Sequence, residues 1–414
     1  MGMDQGQQEE YNQIISQLGA EDSDTRRWAV YDLEKFPVEV TTDHLVKRLE
    51  DEHRAVREAA AEVLESVPVD LCMSQLTPQL GNPRIEVRNL AAALIAKFGE
   101  GAVPYLLDAL KEGNEDVRKF SADILGLAGS DKAIEGLAEA LYDPVENVGV
   151  SVAEALGKIK SPDALPHLLA AFDKCDYLKR ECAESLGLLG VPDGAIFLMG
   201  KLAETDDLLV RYAMIDALGN AGDNRVLEFL EKSFDSLPAE LHIAVALSLL
   251  KIANRENIRL LSRPTAPVDA IINGSLEDNE DYQQLLIGQI NAQVTEEVLT
   301  AFIHKSDALN AHVLVEVMKA ARNYSNLTDF CLDMTAHDDD WVAYTAIEHL
   351  PDIDKGRLSQ VLKGILDGER TLPQMAAMKM VVRLDLPNRR EWLEPFLEAQ
   401  DDDLRSLAQQ LLDQ

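Results

Sequence analysis

Aromatic residues are scarce in this chain, at 5% of 414 residues, although hydrophobic residues make up 46%. The core must therefore be built from Leu, Ala, Val and Ile, a mixture that suits helices packed at close range. Cysteines number only four and form no C-x-x-C pair, so we expect neither a disulfide framework nor a zinc motif. No apolar run approaches the ~18 residues of a membrane span, and we expect none.

Basic residues are also few, with 39 Lys and Arg against 73 Asp and Glu and a formal net charge of −34. Nucleic-acid binding depends on basic side chains that displace counterions, so this charge argues against a DNA or RNA partner. The same negative field would attract a protein with a basic segment. Two alternatives remain open, because the acidity could serve solubility alone or reflect a salt-adapted host.

The N-terminal residues MGMDQGQQEE contain neither a basic region nor an apolar region of the kind found in secretory signals. We therefore expect a soluble protein in the cytoplasm.

Common catalytic motifs are missing as well. None of the eight histidines lies in H-E-x-x-H, and the sequence contains no G-x-x-x-x-G-K-[ST] phosphate loop and no G-x-S-x-G elbow. His337 followed by Asp338, Asp339 and Asp340 could suggest a metal cluster, but aspartates that cap a helix before Val342 explain the same run. We expect no catalytic residue, no cofactor and no metal.

One twelve-residue pattern recurs along the first three-fifths of the chain. Its copies begin 30 to 32 residues apart. Apart from Asp32 at offset 7 of the first copy, they have an apolar or small residue at offsets 0, 4, 7, 8 and 11. At 100° per residue these positions occupy an arc of about 100°, which predicts an amphipathic helix. The copies begin at Thr25, Val56, Val87, Val117, Val148, Leu178, Val210 and Leu241.

A shorter apolar helix is predicted before each of these segments, so the repeating unit is an A helix, a tight turn and a B helix. One such pair cannot bury its own apolar stripes, whereas a stack of pairs forms a continuous core. The sequence therefore predicts an all-α fold, an α-solenoid (superhelix). It would contain about thirteen stacked helix-turn-helix repeats, the last five beginning near Tyr282, Leu309, Val342, Leu372 and Leu404.

The repeat is less regular in one place. Leu241 and Tyr282 are 41 residues apart, about ten more than elsewhere. We therefore predict a regular repeat arm over residues 1–253, an irregular joint over 254–281 and a degenerate arm with a C-terminal cap over 282–414.

The repeat carries a motif close to V-R-x-x-A-x-x-A-L-G, which reads VRKFSADILG from Val117 to Gly126 and VRYAMIDALG from Val210 to Gly219. This motif resembles the short HEAT-like repeats first described in phycobilisome lyases. The resemblance implies a ladder in which the basic residue at offset 1 links neighbouring helix starts. It also implies an alternative function, an enzyme or chaperone that acts on a protein-bound phycobilin. A third possibility, a DNA-repair glycosylase, would need a basic channel.

Offsets 2, 6 and 9 of the B helices lie opposite the apolar stripe. If the B helices line the concave side, these offsets form its floor. Offset 6 is acidic in four consecutive repeats, and roughly 10 Å between helices would make a row of about 30 Å. The same charges could instead only pair with neighbouring residues on a solvated helix. The candidate protein-binding residues are Tyr31, Glu62, Phe120, Asp123, Glu154, Glu184, Tyr212 and Asp216.

We therefore expect a non-catalytic scaffold or adaptor in a bacterial protein assembly. Tyr31, Phe120 and Tyr212 would anchor the partner. The carboxylates of offset 6 would attract it.

Overall fold

A computed structural model describes residues 3–277, 279–291, 293–350 and 354–413, without the side chain at position 112. Its regular elements over these residues are 26 α-helices and short 3₁₀ helices, with no strand. The α-helices follow one another as thirteen pairs, each with an A helix and then a B helix. The predicted all-α solenoid of about thirteen stacked helix pairs is confirmed.

The chain forms two compact units, and the first of them is Met1–Gly222. Its pairs are α1 (Gln5–Gln17) with α2 (Ser23–Asp32), α3 (Val38–Arg48) with α4 (Arg54–Leu64), α5 (Val69–Gln79) with α6 (Ile85–Lys97), α7 (Val103–Glu112) with α8 (Glu115–Ala128), α9 (Ile134–Ala140) with α10 (Glu146–Ile159), α11 (Leu165–Lys174) with α12 (Lys179–Leu189), and α13 (Pro192–Lys201) with α14 (Leu208–Ala221).

The second unit is Asp223–Gln414. Its pairs are α15 (Asn224–Ser233) with α16 (His242–Arg255), α17 (Val268–Ser275) with α18 (Glu280–Ile287), α19 (Glu296–Ile303) with α20 (Ala311–Ala321), α21 (Thr328–Asp333) with α22 (Asp340–Glu348), α23 (Lys355–Leu366) with α24 (Thr371–Arg383), and α25 (Arg389–Leu393) with α26 (Asp402–Leu412).

Helix α8 shows how the repeated pattern produces a B helix. Asn114 caps its start, where the side-chain oxygen accepts a hydrogen bond from the Val117 amide at 3.0 Å. The residues at offsets 0, 4, 7 and 8 are all buried, as the apolar stripe predicts. Gly129 follows with φ +63°, a left-handed conformation that ends the helix at little cost for glycine.

The glycine at offset 9 is buried, so the prediction that this offset faces away from the core is wrong. A Cβ atom added to Gly126 would lie 2.8 Å from Cα of Ala155 on the next B helix, and one added to Gly187 would lie 2.8 Å from Cα of Ala217. B helices in a stack pack against their neighbours as well as against an A helix, so more than one stripe is buried. We call this line of contacts the glycine seam; it joins α8, α10, α12 and α14.

Replacing Gly157 in the glycine seam by alanine is expected to lower the free energy of unfolding by about 1–3 kcal/mol. The new Cβ would lie 2.7 Å from Cβ and 2.8 Å from Cα of Ser185, so backbone has to move. Gly200→Ala is the matched control, because that site is helical with nothing within 4 Å. There alanine should stabilise by roughly 0.5–1 kcal/mol. Chemical denaturation of both variants measures the difference; equal effects would contradict the seam.

The predicted ladder of basic residues is present at two positions. Arg26 donates from Nε and Nη2 to the Asp51 carboxylate, both at 2.9 Å, and so links α2 to the turn before α4. Arg118 holds Asp143 in the same way, at 2.7 and 2.9 Å. In the intervening repeats, the Arg57 and Arg88 side chains donate to main-chain carbonyl oxygens of the preceding turns. These arginines support the turns between repeats.

The ten extra residues predicted between Leu241 and Tyr282 lie in the connection between α16 and α17, residues 256–267, inside the second unit. The connection contains a 3₁₀ turn, Leu260–Ser262, whose two leucines are buried. Arg263 anchors it further, donating to both carboxylate oxygens of Glu231 at 2.8 Å. The division of the chain into two arms at 254–281 stays a prediction.

Limited trypsin digestion should cut first within residues 254–281. The connection exposes Arg259 between helices, and loops that interrupt a repeat are preferred cleavage sites. Mass spectrometry of the first fragments identifies the site. A first cut between residues 100 and 250 would contradict the predicted joint.

Candidate protein-binding face

Four consecutive B helices of the first unit carry one carboxylate each at offset 6. They are Asp123 on α8, Glu154 on α10, Glu184 on α12 and Asp216 on α14, and we call them the acidic row. Glu184 is exposed and the other three are half-buried. The helices are held side by side by the glycine seam, so the carboxylates follow one another across the stack.

The acidic row has an electrostatic signature at Glu184. Although the residue as a whole is exposed, partial loss of water around this carboxyl is the largest cause that raises its pKa above the ordinary value, and the Arg180 guanidinium opposes the rise. The carboxylates of Glu154 and Asp216, on the two flanking helices, raise the Glu184 pKa further, as does Glu181. Neighbouring members of the row are therefore close enough to repel one another.

Local pairs neutralise part of the acidic row, as the alternative interpretation of a solvated face requires. Lys119 lies 3.0 Å from the Asp123 carboxylate, and Lys158 lies 3.1 Å from that of Glu154. Such exposed i,i+4 pairs contribute only about 0.3–0.5 kcal/mol each, so an incoming cation can displace them.

Glu184 differs from these two members of the row. Its i−4 neighbour Arg180 makes an ion pair with the buried carboxylate of Glu181 instead. Among the described residues, Glu184 has neither a hydrogen bond nor an ion pair. The negative charge at the centre of the row is therefore the least compensated.

Tyr31 and Glu62 are brought together, but away from the acidic row. The Tyr31 hydroxyl donates to the Glu62 carboxylate at 2.7 Å, from α2 to α4. This hydrogen bond to Glu62 is the main reason that the pKa of Tyr31 is raised, with burial second. Helix α6 separates the pair from α8 and has Ala93 at offset 6, so the predicted residues form two groups.

The two other predicted anchors differ in exposure. Tyr212 on α14 is 51% exposed, as the predicted role of an anchor requires. Phe120 on α8 is half-buried, and the Lys119 ammonium lies 5.3 Å from its ring centroid. Tyr212 fits the predicted role better than Phe120.

Two leucines on the same face were missed by the sequence reasoning. Leu127 on α8 is 71% exposed and Leu188 on α12 is 48% exposed. Each lies at offset 10, one turn after a member of the acidic row, on a face where polar residues were expected. The signal that could have revealed them is a leucine at an offset that does not belong to the predicted apolar stripe.

Three buried cysteines and the aspartates before α22 serve the fold. Burial raises the pKa of the Cys72 and Cys331 thiols to about 11 and that of Cys182 to about 12, so these thiols stay protonated near neutral pH. Asp339 caps the start of α22, which confirms the capping interpretation of the run from Asp338 to Asp340, and Asp401 caps α26 in the same way.

The described residues form neither a metal-binding cluster nor a single membrane-spanning helix. No group of three or more His, Cys, Asp or Glu side chains is arranged to hold a metal ion. No single described helix is both long and apolar enough to cross a membrane; the one pair that meets the criterion together, Ile85–Lys97 with Gly99–Lys111, is bent by 114°.

Comparison with solved structures shows the same fold. A triple mutant of Kap121p matches with a TM-score of 0.50 and 16% identity, over 97% of this chain and 56% of that one. Kap121p itself matches at 0.49 and 16%, with the same coverage, and the Kap95:Nup1 complex at 0.48 and 12%, over 99% of this chain and 62% of that one. The chain thus spans somewhat more than half the length of these proteins.

Comparison with protein families identifies the repeat. No curated protein matches the sequence. The family described as HEAT repeats matches residues 73–148, 103–187 and 171–251. The acidic row lies entirely within this stretch. Residues 73–251 of this chain are therefore similar to HEAT repeats.

Proposed function

We propose that this protein is a non-catalytic scaffold that holds another protein against the exposed face of α8, α10, α12 and α14. The observation that carries the proposal is the acidic row, whose central carboxylate Glu184 is unpaired and has a raised pKa. A cationic side chain placed there would relieve repulsion among three carboxylates. The preferred partner is therefore a protein with a basic segment.

The packing of the helices supports a concave position for this face. Between α8 and α14, neighbouring B helices contact one another more extensively than neighbouring A helices do. A stack that is tighter on one side curves toward that side. A concave face surrounds an extended partner and excludes water from the contacts. This exclusion strengthens the interactions of the few residues that supply most of the binding energy.

The net charge of −34 supports the same proposal through kinetics. A strongly negative surface speeds the encounter with a basic protein, and added salt weakens this attraction because the Debye length is only about 8 Å at physiological ionic strength. Capture of the partner should therefore weaken as salt is raised.

A pull-down from lysate of the native host tests the proposal. The bait is the full chain, either unchanged or with Asp123, Glu154 and Glu184 all replaced by lysine. A control bait carries Asp131→Lys, Asp163→Lys and Asp193→Lys, an identical charge change at exposed positions near the starts of three A helices.

The expected result is a protein with a basic segment that the unchanged and control baits capture and the row variant loses. Circular dichroism confirms that every bait is folded. Equal capture by all three baits would show that the partner binds elsewhere than at the acidic row. Capture lost equally with both triple variants would mean that only the total charge matters.

A further inference from the structure

The face that carries the acidic row also exposes apolar side chains in a regular arrangement. Leu127, Leu188 and Tyr212 are 71%, 48% and 51% exposed, which is unusual on a surface that otherwise carries charges. They lie on three of the four B helices of the row. Because exposed apolar groups cost free energy in water, they are candidates for burial under a partner.

The apolar and basic neighbours of the row alternate from helix to helix. On α8 the residue one turn before the carboxylate is Lys119 and the residue one turn after it is Leu127. On α10 the order is reversed, with Val150 before and Lys158 after. Helix α12 returns to the first order, with Arg180 and then Leu188. The apolar side chains therefore lie alternately on the two sides of the acidic row.

We infer that this face binds an extended segment of the partner, which crosses the B helices and carries a basic side chain about every third residue with apolar side chains between. The inference rests on the proposed function and specifies the class of partner. Helices spaced by roughly 8–10 Å correspond to about three residues of extended chain at ~3.3 Å per residue.

An extended segment fits the alternation better than a helix does. Successive side chains of an extended chain point to opposite sides, so they can reach Leu127 on one side of the row, Val150 on the other and Leu188 on the first side again. An amphipathic helix presents one apolar stripe along one side only. The opposite charges of the row and the segment supply the complementarity that orients it.

Fluorescence anisotropy with three synthetic peptides tests the inference on the full chain. The first peptide contains four Lys-Leu-Ser repeats. The second has the same composition with the lysines grouped at one end, and the third has glutamate in place of lysine. The first should bind at least about tenfold more tightly than the second, and the third should not bind.

Two variants connect this result to the face. Leu127→Ser with Leu188→Ser should weaken binding of the first peptide about tenfold, because both apolar contacts are lost. Ile85→Ser with Ile196→Ser is the matched control, since these side chains are 61% and 46% exposed on other helices, and it should leave affinity unchanged.

Different outcomes separate the inference from the proposed function. Equal affinity for the first two peptides, or no effect of the leucine variant, would overturn the alternating segment even if the lysate partner is still captured through the acidic row. Absence of peptide binding together with row-dependent capture would likewise overturn only the inference. Absence of both would overturn the scaffold proposal as well.

Discussion

Replacing Leu125 by alanine should lower the free energy of unfolding by about 2–5 kcal/mol. Leu125 is fully buried, at offset 8 of α8. Removing its isobutyl group takes apolar surface out of the core and leaves a cavity that close-packed helices cannot fill.

Leu127→Ala provides the matched control, because it removes the same atoms two residues away on the same helix. Leu127 is 71% exposed, so its replacement should change stability by less than about 0.5 kcal/mol. Urea denaturation followed by circular dichroism compares the two variants. An effect at Leu125 as small as that at Leu127 would contradict the register of the helix.

Replacing Asp51 by alanine should destabilise the protein by about 2–4 kcal/mol. The side chains of Asp51 and Arg26 are 4% and 7% exposed, and removing the carboxylate leaves a buried guanidinium without its main partner. The exposed Glu52 carboxylate, 3.3 Å from Arg26, compensates in part and keeps the effect below that of a fully enclosed pair. Asp32→Ala, which removes an exposed ion pair with Lys35, should cost less than ~1 kcal/mol.

The same pair predicts how stability depends on pH. Burial alone would raise the pKa of Asp51, but hydrogen bonds from Arg26 and from the His53 amide outweigh burial, so the pKa in the folded state is lowered. The stabilisation is therefore complete above the ordinary pKa of about 4 and is lost as pH falls through the lowered value. Thermal melting at pH 5 and pH 3 should show a smaller drop for Asp51→Asn than for the unchanged chain.

The repeat was predictable because its apolar positions recur with little variation in spacing. The thirteen helix pairs and the buried residues of α8 follow directly from that pattern. Offset 9 was predicted to face away from the core because the prediction assumed that each B helix buries a single stripe, against an A helix. Contacts between neighbouring B helices bury a second strip of surface, where glycine and alanine give no strong hydrophobic signal.

The candidate protein-binding face was only partly predictable. The positions of Asp123, Glu154, Glu184 and Asp216 followed from the helical period. Among the described residues, Glu184 lacks a partner because Arg180 pairs with Glu181 instead. Both carboxylates are close to Arg180 in the sequence, so the sequence did not decide between the two pairs. Leu127 and Leu188 were missed because only offsets 2, 6 and 9 were considered for this face, and both leucines lie at offset 10.

The glycine seam also has a mechanical consequence. Gly126, Gly157 and Gly187 bring neighbouring backbones into direct contact, so this edge of the stack cannot shorten and can lengthen only by losing contacts. The A-helix edge has open clefts, such as that lined by Tyr105 and Asp108, which can widen or narrow at little cost. Thermal bending should therefore pivot about the seam. The distances between the four carboxylates of the acidic row would then stay constant while the opposite edge flexes.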